Sequence, residues 1–202
     1  SFYNRGDARP FDGEEKHIFT DSDELQTSAF TAADFGTLVH DCLHKWVLGM
    51  PIEEYEAPVA LLKNLNASER KRTCADCLKL CTAFTSSQLA ADFLDAKNSG
   101  RFFRAEWEFK NLNGEYIVTG SMDLIFQNAD KTYTLVDYKS DSDCVPERYY
   151  VQQTCYRQAA SALLGVPADS IKPKLYYLRS AKSIDISEET KSLNFEFFKT
   201  GN

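Results

Sequence analysis

The run Leu135-Val136-Asp137-Tyr138-Lys139 places a carboxylate and an ammonium two residues apart. On a strand, successive side chains alternate, so Asp137 and Lys139 share one face while Val136 and Tyr138 take the other. Such a pair is often a plain surface ion pair contributing ~0–1 kcal/mol. A second acid changes the reading. The segment Gly120-Ser121-Met122-Asp123-Leu124-Ile125 comes before it, and a hairpin turn centred near Ala129-Asp130 would set Asp123 opposite residue 136 or 137. Two apposed carboxylates in apolar strands repel unless one takes a proton or a cation binds between them. Their oxygens suit a hard divalent ion such as Mg²⁺ or Mn²⁺, which retains several of its waters.

These strands need a scaffold, and the rest of the chain supplies its elements. Residues 1–33 are polar, with Gly6, Pro10, Gly13 and a cluster of acids, and read as a linker or docking arm. Residues 34–202 read as a single domain. A helix is expected from Asp34, which can cap it. Phe35, Leu38, Val39, Cys42, Leu43, Trp46 and Val47 then recur at helical spacing up to the Gly49 and Pro51 stop. Segment 53–97 reads as further helix in two or three pieces, among them 68–82 and 87–97. From residue 102 the texture changes to aromatic and β-branched. Strands are expected at 102–110, 116–127 and 132–139, with Asn113-Gly114 and Asn128-Ala129-Asp130 as turns. A long helix over 147–164, closed by Gly165, precedes two more strand candidates at 174–179 and 193–198. This order implies an α/β fold: a mixed central sheet flanked by helices, with a helical N-terminal part.

Asp123, followed about a hairpin later by Asp137-Tyr138-Lys139, resembles the PD-(D/E)XK nuclease pattern. More narrowly it is similar to the RecB-type nuclease family, found at the C-terminal end of AddA and RecB helicase-nucleases. Gly36-Thr37-Leu38-Val39-His40 resembles that family's leading helix, whose histidine is a metal ligand. Glu106-Trp107-Glu108-Phe109 resembles the acid that precedes the first core strand, and Tyr149, Gln152 and Tyr156 resemble the family's YxxQxxxY helix. The resemblance runs in order from about residue 34 to 164. It implies a restriction-endonuclease-like fold and an Mg²⁺-dependent DNA nuclease, with Mn²⁺ able to substitute. The narrower family implies an exonuclease of the exodeoxyribonuclease V (AddA) type, acting in DNA end processing and recombinational repair. The partners implied are DNA (single-stranded or duplex ends), covalently attached helicase domains and a second helicase-nuclease subunit. A free-standing RecB-like nuclease and an inactive nuclease-fold scaffold are the alternatives.

With that resemblance, the ligands expected are His40, Asp123, Asp137 and the backbone carbonyl of Tyr138. On the residues alone, a histidine at the edge of an apolar stripe reads as hydrogen-bonded or solvated, so His40 rests on the motif. Lys139 would orient the attacking water or stabilise developing charge. Gln152 and Tyr156 would border the site, contacting DNA or supporting Lys139. Tyr149 is balanced between that role and packing, and Glu106 between supporting the site and lying on the surface.

Other features set limits. The net charge is −7, which on its own argues against nucleic acid, so bound metal must supply part of the missing positive charge. There is no GxxxxGK[ST] loop. Six cysteines without a secretory signal read as reduced thiols in a cytoplasmic protein. Cys74, Cys77 and Cys81 have ligand-like spacing, yet they also form a buried helical stripe. Fewer than four evident ligands make an iron–sulfur cluster the weaker reading, with free thiols the default. No apolar run is long enough for a bilayer span.

Overall fold

The computed structural model describes residues 2–4, 30–113 and 116–192. The arm expected over 1–33 and the strand expected at 193–198 lie largely or wholly outside these residues, as does the Gly114 turn. Among the described residues, three α-helices precede the main strands: α1 (Ala32–Leu48), α2 (Ala67–Thr85) and α3 (Gln88–Asn98). The first two begin with capping boxes. Thr31 caps α1, with its hydroxyl accepting from Asp34 N while the Asp34 carboxylate accepts from Thr31 N. Asp34 is therefore the reciprocal partner in the first turn and not the cap expected from sequence: both residue types can cap, and Thr31 reaches the orphan amide first. Asn66 and Glu69 do the same for α2. Gly49 ends α1 in the left-handed region at φ 115°, where a side chain would be strained.

Among the described residues six strands, β1 (Phe2–Asn4), β2 (Phe103–Asn113), β3 (Tyr116–Gln127), β4 (Tyr133–Lys139), β5 (Ile171–Tyr177) and β6 (Lys182–Asp185), form a single mixed sheet. β2 runs antiparallel along one edge of β3. The other edge of β3 is shared: β1 pairs near its start and β4 near its end, where Leu124 lies across from Val136. β4 and β5 are parallel, joined by a 3₁₀ turn (Pro146–Tyr149) and α4 (Tyr150–Leu164). The long helix expected over 147–164 thus opens with a tighter turn. β6 and the short α5 (Ser187–Ser192) were not anticipated from the sequence; β6 is largely exposed and shows no alternation to read.

The two faces of the sheet are covered by different helices. Leu124, Phe126, Val136, Tyr138 and Tyr176 pack on one side against Leu38, Val39 and Leu43 of α1, Phe84 of α2 and Phe93 of α3. Met122, Ile125 and Leu135 pack on the other side against Ala159 and Ala160 of α4. Full burial of a large apolar side chain of this kind contributes ~1.5–3 kcal/mol before entropy is counted. The sheet is therefore clamped between α1 and α4. No described helix is long and apolar enough to cross a membrane.

Candidate active site

The strand register creates the site. β2 and β3 pair Ala105 with Leu124 and Trp107 with Met122, so Glu106 lies across from Asp123. On the other edge, the step after Leu124↔Val136 brings Asp137 beside Asp123. Three acids from three strands thus form one row. The backbone ladder between β3 and β4 stops at this step, and a side chain takes it over: Tyr138 N donates to Asp123 Oδ2 at 2.7 Å. Glu106 adopts φ 45°, rare for a residue with a Cβ. Ser121 Oγ donates to its Oε2 at 3.2 Å.

α1 brings His40 in from one side. Its Nδ1 lies 3.4 Å from Asp123 Oδ1 and 3.9 Å from Glu106 Oε1, and its Nε2 lies 3.1 Å from the Tyr138 carbonyl oxygen. Burial works against the charged imidazole, but the Asp123 charge and hydrogen bond outweigh it, with Asp137 and Glu106 adding to them. The result raises the His40 pKa to about 9. The acids answer in kind. Burial raises the Asp137 pKa despite the opposing pull of Lys139, and the Asp123 charge pushes the same way. Burial and the Asp123 charge also raise that of Glu106.

α4 holds the other side. Lys139 Nζ lies 2.6 Å from Asp137 Oδ2, an ion pair bent away from ideal hydrogen-bond geometry, and it donates to Gln152 Oε1 at 3.3 Å. Gln152 Nε2 in turn donates to the Tyr156 hydroxyl at 3.2 Å, which fixes which end of the amide faces Lys139. The ammonium sits 3.8 Å from the ring centroid of Tyr149, within cation–π range. The Tyr149 hydroxyl donates to Asp141.

His40, Glu106 and Asp123 offer ligand atoms within 4.8 Å of one another. A row of oxygen donors with one imidazole, two of whose acids resist ionisation because they are buried and a neighbouring carboxylate adds to the effect, fits a hard divalent cation. Asp137 lies in the same row but engages Lys139, and the Tyr138 carbonyl faces His40. The nine residues singled out from the sequence therefore gather in one region: His40, Glu106, Asp123 and Tyr138 in direct contact, the Asp137–Lys139 pair next in the row, and Tyr149, Gln152 and Tyr156 behind Lys139.

Three supporting residues escaped the sequence reading. Asp141 anchors Tyr149, and Ser121 anchors Glu106. Gly120 is needed for space, because a Cβ there would lie 2.6 Å from Tyr156 Cε1 and 2.8 Å from Phe109 Cε1. A glycine inside a strand pattern is itself a signal of close approach. The cysteine stripe also groups differently from expectation. Cys77 and Cys81 meet Cys42 of α1, all three buried with sulfurs within 4.8 Å, while Cys74 is partly exposed outside this trio. The thiols of Cys77 and Cys81 face the carbonyls of Leu38 and Val39 at 3.8 Å. Spacing within one helix could not reveal a partner on another.

Comparison with protein families gives a match over residues 14–196 to the family described as the PD-(D/E)XK nuclease superfamily. No curated protein matches the chain.

Proposed function

The chain belongs to the PD-(D/E)XK nuclease superfamily, and from that premise we propose that it is a divalent-metal-dependent deoxyribonuclease working at the cluster of Asp123, Asp137 and Lys139. The observation that carries this reading is the row of Glu106, Asp123 and Asp137, closed by His40 on one side and Lys139 on the other. Asp123, Asp137, His40 and the Tyr138 carbonyl would hold Mg²⁺ or Mn²⁺, with Glu106 beside them. The bound cation would supply an activated water and screen charge on the phosphate.

The protein's own groups have definable tasks. The Tyr138 amide and His40 fix the two oxygens of Asp123, so its geometry is set before substrate arrives. Lys139 is held between the Asp137 carboxylate and the Gln152 carbonyl, poised to orient water and stabilise charge developing on the phosphoryl oxygens. Tyr156 fixes Gln152, and the Tyr149 ring closes off the ammonium on one side. No covalent intermediate with the protein is required. The narrower proposal is a helicase-nuclease domain of the AddA/RecB type that trims DNA ends in recombinational repair. It rests on the order of the motifs around Gly36–His40 and Tyr149–Tyr156.

Asp123→Ala, Asp137→Ala and Lys139→Ala should each lower Mg²⁺-dependent degradation of linear DNA by about a hundredfold or more. The two aspartate variants should also weaken Mn²⁺ binding, and the lysine variant should leave it largely intact. Wild-type cleavage by any folded variant would remove that residue from the site.

A further inference from the structure

Three segments meet just beyond Lys139. The β4–β5 ladder ends with Leu178 N donating to Lys139 O at 2.9 Å. The next residue, Arg179, donates from Nε to Ser140 O at 2.6 Å. Its guanidinium carbon lies 5.4 Å from the ring centroid of Phe35, in the first turns of α1. The helix comes this close because Gly36 faces Ser140: a Cβ there would already lie 3.3 Å from Ser140 Oγ.

Arg179 is thus an exposed side chain held from two sides, one residue along from the lysine of the site. A guanidinium carries five N–H donors in a fixed fork, and the bond to Ser140 uses one. Among the described residues no carboxylate lies within ion-pair distance of it, whereas Arg101 and Arg157, which also donate to a backbone carbonyl, each have one. Two acids of these segments are otherwise engaged. Asp34 is taken up by Thr31, and Asp141 by Tyr149. The first turn of α1 adds the positive end of a helix dipole on the same side.

We propose that Arg179 is a phosphate clamp, binding the DNA backbone phosphodiester next to the scissile one. This rests on the nuclease reading of the neighbouring cluster. A phosphodiester presents two anionic oxygens that match the planar fork, a geometry lysine cannot reproduce. Phe35 and Ser140 fix the fork before substrate binds, so little side-chain freedom is lost on contact. In a chain of net charge −7, an unneutralised cation at this point also fixes which way the strand runs from Lys139.

The test uses the 202-residue chain and a fluorescent single-stranded oligonucleotide in EDTA, where cleavage is silent. Arg179→Gln should weaken binding about tenfold, the scale of a charge-assisted hydrogen bond. It should also flatten the salt dependence by about 0.7, the slope for one phosphate contact on a single strand. Arg179→Lys should restore the slope but only part of the affinity. With Mg²⁺, Arg179→Gln should raise KM while kcat at saturating DNA stays within about twofold. Phe35→Leu keeps the charge and loses the platform, so it should keep the wild-type slope with weaker binding. Equal affinity and slope in wild type and Arg179→Gln overturns the clamp while leaving the nuclease reading intact. Wild-type protein that neither binds nor cuts DNA overturns both.

Discussion

His40 is the residue whose state depends most on its neighbours. Its pKa, raised from 6.5 to about 9, means that the metal-free protein carries an imidazolium between Asp123, Glu106 and the Tyr138 carbonyl at neutral pH. The folded value lies above the unfolded one, so the stability this charge contributes is fully present below pH 6.5 and is lost as pH rises through about 9. Thermal unfolding in EDTA should therefore show a fall in Tm between these limits, and His40→Asn should flatten it. On the proposed reading, a divalent cation held by His40 would need the neutral imidazole and would displace that proton. Mn²⁺ affinity measured by calorimetry should accordingly tighten with pH across the same window, by up to tenfold per unit, with proton release detected in buffers of different ionisation enthalpy. Affinity that is flat with pH would place His40 outside the coordination shell.

At the scale of elements, the site is an intersection of α1, three strands and α4, and much of it was legible in advance. The apolar spacing from Phe35 to Val47 gave α1 and put His40 at the edge of its stripe. The turn near Ala129-Asp130 narrowed the residue opposite Asp123 to 136 or 137, because a tight turn leaves a hairpin few ways to pair, and the structure takes the register that apposes Asp123 and Asp137. What the sequence withheld was tertiary. The left-handed backbone of Glu106, the meeting of Cys42 with Cys77 and Cys81, and the approach of Arg179 to Phe35 depend on elements far apart in the chain. Gly120 shows how one such contact transmits. It leaves room for the Tyr156 ring against β3, with Phe109 edge-on at 5.5 Å between centroids. Gly120→Ala would insert a methyl group into backbone-fixed space, which costs about 1–3 kcal/mol by overpacking. The ring that anchors Gln152, and through it Lys139, would move. The urea midpoint should fall and turnover should drop as well. Adding Tyr156→Leu to Gly120→Ala should recover part of the stability but none of the turnover, since the contact with Phe109 remains and the hydroxyl that orients Gln152 is gone. Full recovery of both would make Tyr156 a packing residue only.

For the whole molecule, charge decides how DNA can approach. A protein that grips nucleic acid through a basic groove loses affinity when divalent cations compete for phosphate. This chain has 30 acids against 23 lysines and arginines, and three of those acids line the site itself. Without metal the row of Glu106, Asp123 and Asp137 repels phosphate, and Lys139 is largely spent on Asp137. On the proposed reading a bound cation would reverse the local sign where the scissile phosphate would sit, while Arg179 would hold its neighbour. The dependence on divalent ions should therefore run opposite to that of a basic groove. Lys139→Ala, which keeps the acids but not the turnover, allows binding to be measured in Mg²⁺ without cleavage. Its affinity for a single-stranded oligonucleotide should be weak in EDTA and should rise about tenfold or more in Mg²⁺ at constant ionic strength, and Asp123→Ala in that background should abolish the rise. Affinity that falls on adding Mg²⁺ would mean that DNA is held by a basic surface away from the acids, and that the cation serves the chemistry alone.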